Sequence, residues 1–157
     1  MLINNFKSNP ASHFQNVLGL LSPKDSNKLI PNRLLEITGY SKTLLAKELK
    51  SSRPLMYREE IDLRSLAQLR TGVFQLVCAS DLIFDLFKFN DPEAKIYQKL
   101  PIEVLHKLQA ETERWIMSPN QFLFGKSPFE VCISGSGKEL IHWLASKLGR
   151  EISKDVA

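Results

Sequence analysis

The sequence lacks any long apolar run. No stretch of its 157 residues approaches the roughly 18 consecutive apolar residues that suggest a membrane-spanning helix. The apolar patch from Val17 to Leu21, preceded only by the single cation Lys7, is too short and unsuitably flanked for a secretory signal. We therefore expect no membrane segment and a cytoplasmic protein. A hydrophobic fraction of 43% with 24% charged residues is typical of a globular chain.

Cysteine and histidine are also scarce. Cys78 and Cys132 each fall inside an apolar helical pattern with no second ligand at metal-binding spacing, which predicts two buried thiols. Glu111 and Glu113 are two residues apart and cannot share a helix face. The histidines are too widely spaced to suggest a common site: His13, His106 and His142. We therefore expect no enzyme, no catalytic residue, no metal and no cofactor.

Sustained alternation of apolar and polar residues is missing, so no strand is predicted. Apolar residues instead recur at three- and four-residue steps, most clearly after Asp62, which we expect to cap a long core helix over 62–87. The predicted fold is all-α. We expect a partly loose, Asn- and Ser-rich arm over 1–30, an N-terminal helical region with the core helix over 31–90, and a C-terminal helical module with a tail over 91–157.

The formal net charge of +4 is unevenly distributed. Residues 1–90 carry 12 Lys and Arg against 8 Asp and Glu, whereas residues 91–157 carry 9 of each. Between Lys24 and Arg58 there are 8 basic and 3 acidic residues. Such a bias suits attraction to phosphate, although a simple solvated face has the same composition.

Residues 41–58 predict two short helices separated by a turn. Ser41 is a suitable N-cap for a helix over Lys42–Leu49, and Pro54 can open the next helix. The segment resembles the helix-turn-helix of Xre-type regulators, which implies that Leu45, Leu49 and Met56 face the core beside a small Ala46. The outward residues that this resemblance assigns to DNA are Lys42, Lys50, Arg53, Tyr57 and Arg58. Lys50 and Ser51 stand where the pattern usually has Gly and an aliphatic residue, so an ordinary helical hairpin without a DNA role is the alternative.

The segment from Trp115 to Pro128 predicts a tightly constrained connection between two helices. Asn120 and Gly125 can take positive φ at little cost, and Ser127, Pro128 and Glu130 form a capping box for the next helix. We expect Phe124 and Lys126 to point outward and most of the other aromatic and aliphatic side chains of this segment to lie in the core.

The segment Ser134–Glu139 contains the Gly, Ser and Lys residues typical of a phosphate-binding loop, but it lacks the spacing of that motif. The first Gly of that motif would fall on Cys132, and neither Ser nor Thr follows Lys138. Ser136 and Glu139 instead predict a second capping box and a helix that starts near Gly137 and stops near Gly149.

The pattern Trp-x4-Asn-x2-Leu-x-Gly-x2-Pro, followed by Gly135, Gly137 and a short amphipathic helix, resembles the toxin-binding domain of Xre/MbcA/ParS-type antitoxins. The resemblance implies a cognate toxin as partner, commonly a RES-domain enzyme that destroys NAD, with the loop 120–128 and the segment 149–157 at the interface. The residues that it assigns to toxin binding are Asn120, Phe124, Gly125, Lys126, Arg150 and Glu151.

We therefore expect a type II antitoxin that occludes its toxin and represses its operon through the N-terminal helices. Helix-turn-helix proteins usually act as symmetric pairs, so we expect a homodimer, with the helix over 62–87 as a candidate contact. The alternatives are a regulator or adaptor without a toxin, and an antitoxin that does not bind DNA.

Overall fold

A long helix, Ala67–Asn90, is the central element of the computed structural model, which describes residues 19–149 except positions 23 and 26. The all-α fold class is confirmed. In chain order the helices of the described residues are α1 (Pro31–Thr38), α2 (Lys42–Glu48), α3 (Ala67–Asn90), α4 (Ile102–Met117), α5 (Pro128–Ile133) and α6 (Lys138–Lys147). Short 3₁₀ helices cover Arg53–Tyr57, Leu63–Ser65, Ala94–Ile96 and Gln121–Leu123. The two short strands are β1 (Lys28–Leu29) and β2 (Ile61–Asp62).

Helix α3 is buried over most of its length because α4, α5 and α6 all pack against it. Every residue from Gly72 to Ser80 is buried. Gly72 permits the close approach of α5, because a Cβ at this position would overlap the carbonyl oxygen of Ile133. The expectation that this helix forms a dimer contact is therefore wrong for its central turns, which are covered within the chain.

The start of α3 differs from the prediction. Asp62 Oδ1 accepts a hydrogen bond from the Arg64 amide (2.9 Å) and so caps the 3₁₀ helix Leu63–Ser65, whereas α3 begins at Ala67 without a side-chain cap. Asp62 also belongs to β2, where it pairs with Lys28. The interruption lies at Leu66, whose non-helical backbone (φ −130°, ψ 81°) ends the 3₁₀ helix and separates it from α3.

The prediction of no strands and of a loose arm over 1–30 is corrected by the antiparallel pair β1–β2. Leu29 lies opposite Ile61, and the Ile30 amide donates to the Leu20 carbonyl (2.7 Å). Leu20, Leu21 and Leu29 are fully buried, so these leucines of the predicted arm belong to the core. The part of the predicted arm over 1–18 lies outside the described residues. Strands of two residues are too short to produce a recognisable alternation in the sequence.

Helix α2 confirms the predicted N-cap, because Ser41 Oγ accepts a hydrogen bond from the Leu44 amide (3.1 Å). Leu45, Leu49 and Met56 are buried as expected. The predicted second helix is different in kind, because Arg53–Tyr57 is a 3₁₀ helix that ends at an extended Arg58. At about 2 Å per residue, five residues of 3₁₀ helix span only about 10 Å.

Of the two capping boxes predicted for the C-terminal module, one is present and the other is absent. The capping box of Ser127 and Glu130 is present, with Pro128 at the start of α5. The second predicted box, Ser136 with Glu139, is absent, because the N-cap of α6 is Gly137. Its amide donates instead to Gln75 Oε1 of α3 (2.8 Å), a buried bond between residues 62 positions apart. The predicted helix start near Gly137 is nevertheless correct.

The two cysteines are buried free thiols, as predicted. Burial raises the pKa of Cys78 to about 12, and it also raises the pKa of Cys132. Both thiols are therefore protonated at neutral pH and poorly nucleophilic. In the described part of the chain, no helix combines the length and apolar character needed to cross a membrane.

Candidate binding surfaces

The loop between α4 and α5 is organised around Asn120. Asn120 Oδ1 accepts from the Phe122 amide (2.9 Å), and the Asn120 carbonyl accepts from the amides of Leu123 and Gly125 (3.0 Å each). The Asn120 amide in turn donates to the Lys126 carbonyl (3.0 Å). These four hydrogen bonds fix the backbone of the loop without help from any other element.

The predicted positive φ at Asn120 is wrong, whereas that at Gly125 is confirmed. Asn120 is extended (φ −131°), because its side chain caps the following 3₁₀ helix from that conformation. The left-handed residues are Phe124 (φ 56°) and Gly125 (φ 82°). Positive φ is uncommon for a bulky residue such as Phe and costs about 1 kcal/mol or more.

The loop presents its aromatic side chains to solvent. Phe124 is 97% exposed and Phe122 is 85% exposed, and Lys126 is exposed beside them. The outward orientation predicted for Phe124 and Lys126 is confirmed. The expectation that the rest of the cluster is mostly core holds for the buried Phe129 but is wrong for Phe122.

Helix α6 extends this exposed region. The Trp143 ring lies 6.2 Å from the Phe122 ring, centroid to centroid, and is 43% exposed. Lys147 Nζ lies 5.4 Å from the Trp143 ring centroid. We call Phe122, Phe124 and Trp143 the aromatic surface.

Phe122 and Trp143 were not among the predicted partner-binding residues. The sequence did indicate that Trp143 is exposed, because this residue lies outside the apolar face of α6. That face is formed by Leu140, Ile141 and Leu144. The predicted toxin-binding residues Asn120, Phe124, Gly125 and Lys126 lie in the one loop. Arg150 and Glu151 lie outside the described residues.

The predicted DNA-binding residues lie in α2, the turn after it and the 3₁₀ helix Arg53–Tyr57. Lys42 Nζ is 3.8 Å from the Tyr57 ring centroid, and Arg53 Nη2 donates to Tyr57 Oη (3.2 Å). Lys42, Arg53 and Tyr57 thus form one cluster. Lys50 and Arg58 are exposed in the same stretch. We call these five residues the basic segment.

The turn after α2 keeps a left-handed position although it lacks glycine. Lys50 has φ 51°, and the Ser51 amide donates to the Ala46 carbonyl (2.8 Å). A lysine in this conformation is strained relative to glycine. Lys50 therefore occupies a conformation that glycine would adopt without strain.

The four cations of the basic segment differ from their neighbours in ion pairing. Lys28 pairs with Glu60 and Arg33 with Glu113. Arg64 binds Asp62 (2.8 Å), and the side-chain hydrogen bond from Arg64 lowers the pKa of Asp62 to about 2. The four cations of the basic segment are Lys42, Lys50, Arg53 and Arg58. Within the residues that the structure describes, none of these four forms an ion pair. Their charge is available to a ligand.

The described residues contain no group of three or more His, Cys, Asp or Glu side chains that could hold a metal ion. His106 and His142 are exposed on different helices, α4 and α6. Comparisons of this chain with models of protein families, with curated proteins and with solved structures gave no match.

Proposed function

We propose that this protein is a cytoplasmic antitoxin that binds and occludes a toxin enzyme through its aromatic surface. The observation that carries the proposal is a hydrogen-bonded loop that holds Phe122 and Phe124 almost fully in solvent, next to Trp143. Burial of such side chains against a partner contributes about 25 cal/mol per Å² of apolar area. Because the loop is already ordered, little conformational entropy is lost on binding.

The class of partner comes from the resemblance of the Trp115–Pro128 pattern to antitoxin domains. It implies a RES-type enzyme that degrades NAD. The same resemblance assigns Arg150 and Glu151, beyond the described residues, to the interface. Co-expression with the product of the adjacent gene, followed by affinity capture and a growth test, examines this directly. A stable complex that restores growth supports the antitoxin proposal, whereas no complex and no toxicity contradict it and favour a regulator or adaptor without a toxin.

Replacing both loop phenylalanines, in the variant Phe122→Ser/Phe124→Ser, is expected to weaken toxin binding by about thirtyfold or more, because exposed aromatics that become buried dominate binding energy. The measurement is the dissociation constant by titration calorimetry, together with the growth test. Far-UV circular dichroism should be unchanged, since both side chains are exposed.

A matched control is Ile102→Ser, which removes an apolar side chain that is 64% exposed at the start of α4, outside the aromatic surface. It should bind toxin like the unaltered chain. If the double loop variant binds toxin with unchanged affinity, the aromatic surface has no part in the interface.

The second proposed activity is binding of operator DNA by the basic segment, which would allow the antitoxin to repress its own operon. The specific observation in its favour is the clustering of Lys42, Arg53 and Tyr57, with none of the cations paired within the described chain. Cations of this kind bind phosphates and release counterions. Because the 3₁₀ helix is short, we propose that phosphate contacts outweigh reading of base edges.

The variant Arg53→Ala/Arg58→Ala is expected to abolish operator binding at physiological salt and to leave toxin neutralisation intact. Each lost phosphate contact should also lower the slope of log affinity against log salt by about 1. Fluorescence anisotropy with operator DNA at several salt concentrations measures both quantities. Lys99→Ala/Lys138→Ala is the matched control, because these two exposed lysines lie outside the basic segment. Unchanged DNA binding by the arginine variant would contradict this assignment, and no salt-sensitive binding by the unaltered chain would favour a DNA-silent antitoxin.

A further inference from the structure

A groove of about 360 Å³ lies at the C-terminal end of α3 and shares no lining residue with the aromatic surface or the basic segment. Phe89 and Tyr97 contribute its aromatic lining, Lys88 and Lys95 its cations, and Leu148 an apolar contact from the end of α6. Phe89 is 64% exposed and Ile96, between two of the lining residues, is 74% exposed. Exposed apolar side chains concentrated in this way are typical of an interaction site.

The segment that carries these side chains is held in place by Asp91. Asp91 Oδ1 accepts from the amides of Glu93 (2.9 Å) and Ala94 (3.3 Å), and Oδ2 accepts from Lys107 Nζ of α4 (3.3 Å). The Asp91 side chain is only 9% exposed, whereas Lys107 reaches it from the surface with 54% of its side chain exposed. The exposed side chains are therefore displayed by a preorganised backbone, which lowers the entropy lost on association.

The charges around the groove are of both signs. Lys88, Lys95 and Asp85 line it, and Glu93 is exposed next to the lining residue Ala94. No ion pair involving Lys88, Lys95 or Glu93 occurs within the described part of the chain. A strongly acidic or strongly basic partner would place like charges against one of them. In a twofold interface, by contrast, the same patch meets itself and each cation can face a carboxylate.

We infer that this groove is the surface through which two copies of the chain associate, with Phe89 of each copy packed against the other. The inference rests on the homodimer that the sequence led us to expect, and it names the contact between the two copies. It also agrees with the packing of α3, whose central turns are buried and leave its C-terminal end open to a second copy.

The test is sedimentation velocity of the full chain over a range of concentrations. The unaltered chain is expected to dimerise, and Phe89→Ser is expected to raise the dimer dissociation constant by about thirtyfold. Phe122→Ser/Phe124→Ser should dimerise normally, since it alters only the aromatic surface. A chain that is monomeric at every concentration would overturn the homodimer itself, whereas a dimer that Phe89→Ser leaves intact would overturn only this surface.

A charge exchange separates a specific twofold contact from nonspecific apolar adhesion. Lys95→Glu is expected to weaken the dimer by about tenfold, because like charges then face each other across the axis. Adding Glu93→Lys to that variant should restore most of the affinity. Failure of the double exchange to recover dimerisation would contradict a self-complementary charge pattern. Toxin capture by the same variants should remain normal, which keeps this result separate from the antitoxin proposal.

Discussion

Phe129→Ala is expected to lower the free energy of unfolding by about 4 kcal/mol, the largest effect of any substitution considered for this chain. Phe129 is 1% exposed, and its ring meets the edge of Tyr40 at 6.1 Å between centroids. Truncation leaves a cavity and removes the aromatic contact that ties α5 to the segment between α1 and α2. Because domains of this size are stable by about 5–15 kcal/mol, the variant should have a much lower urea midpoint.

The matched control lies five residues earlier in the same aromatic-rich segment. Phe124→Ala also replaces a phenylalanine, but this side chain is 97% exposed. The free energy of unfolding should therefore change by no more than about 0.5 kcal/mol. Urea denaturation followed by circular dichroism gives both values. Equal destabilisation by the two substitutions would show that the division of this segment into a buried Phe129 and an exposed Phe124 is wrong.

Gly72→Ala is expected to destabilise the protein by about 3 kcal/mol, although alanine is intrinsically the better helix former by about 1 kcal/mol. The added Cβ would overlap the Ile133 carbonyl oxygen and lie 3.0 Å from its carbonyl carbon. These are backbone atoms of α5, so they cannot move aside as the end of a flexible side chain can. Helices α3 and α5 must separate, which loosens packing along their shared contact.

The control for helix propensity is Gln68→Ala, one turn earlier on α3 at an exposed position. It should change stability by no more than about 0.5 kcal/mol. Thermal and urea unfolding of both variants provide the comparison. A Gly72→Ala protein that is as stable as the unaltered chain, or more stable, would mean that α3 and α5 do not approach each other as described.

Both predictions concern positions that are buried in the core, and their controls concern positions that are exposed on the surface. The C-terminal module fixes Phe129 inside and holds Phe122 and Phe124 outside within eight residues of sequence. This separation matters for the proposed function, because substitutions on the aromatic surface can then remove toxin binding without unfolding the protein.

The parts of the fold that the sequence predicted are those governed by neighbouring residues. Helix periodicity, the Ser41 cap and the capping box of Ser127 and Glu130 depend on contacts within four positions of each other. The outward Phe124 and the positive φ of Gly125 followed from the spacing of one short loop. Interactions over this short range depend on residues that are neighbours in the sequence, so the sequence alone can predict them.

The parts that sequence reasoning missed depend on distant partners. The amide of Gly137, the N-cap of α6, donates to Gln75 Oε1, 62 residues away, and no local pattern can indicate this bond. The antiparallel pairing of Leu29 with Ile61 joins two segments about 30 residues apart, and Leu20, Leu21 and Leu29 are buried in the core. Phe122 could be placed beside Trp143 only after α6 was docked on α3.

By itself, then, the sequence determined the all-α class, the helix order and the local caps of Ser41 and Ser127, because period and capping act over one or two turns. Only the tertiary structure decided which aromatic side chains are buried, where α3 begins, and which cations remain unpaired. These outcomes depend on which surfaces the helices place together, and burial is a property of the assembled core rather than of any segment within it.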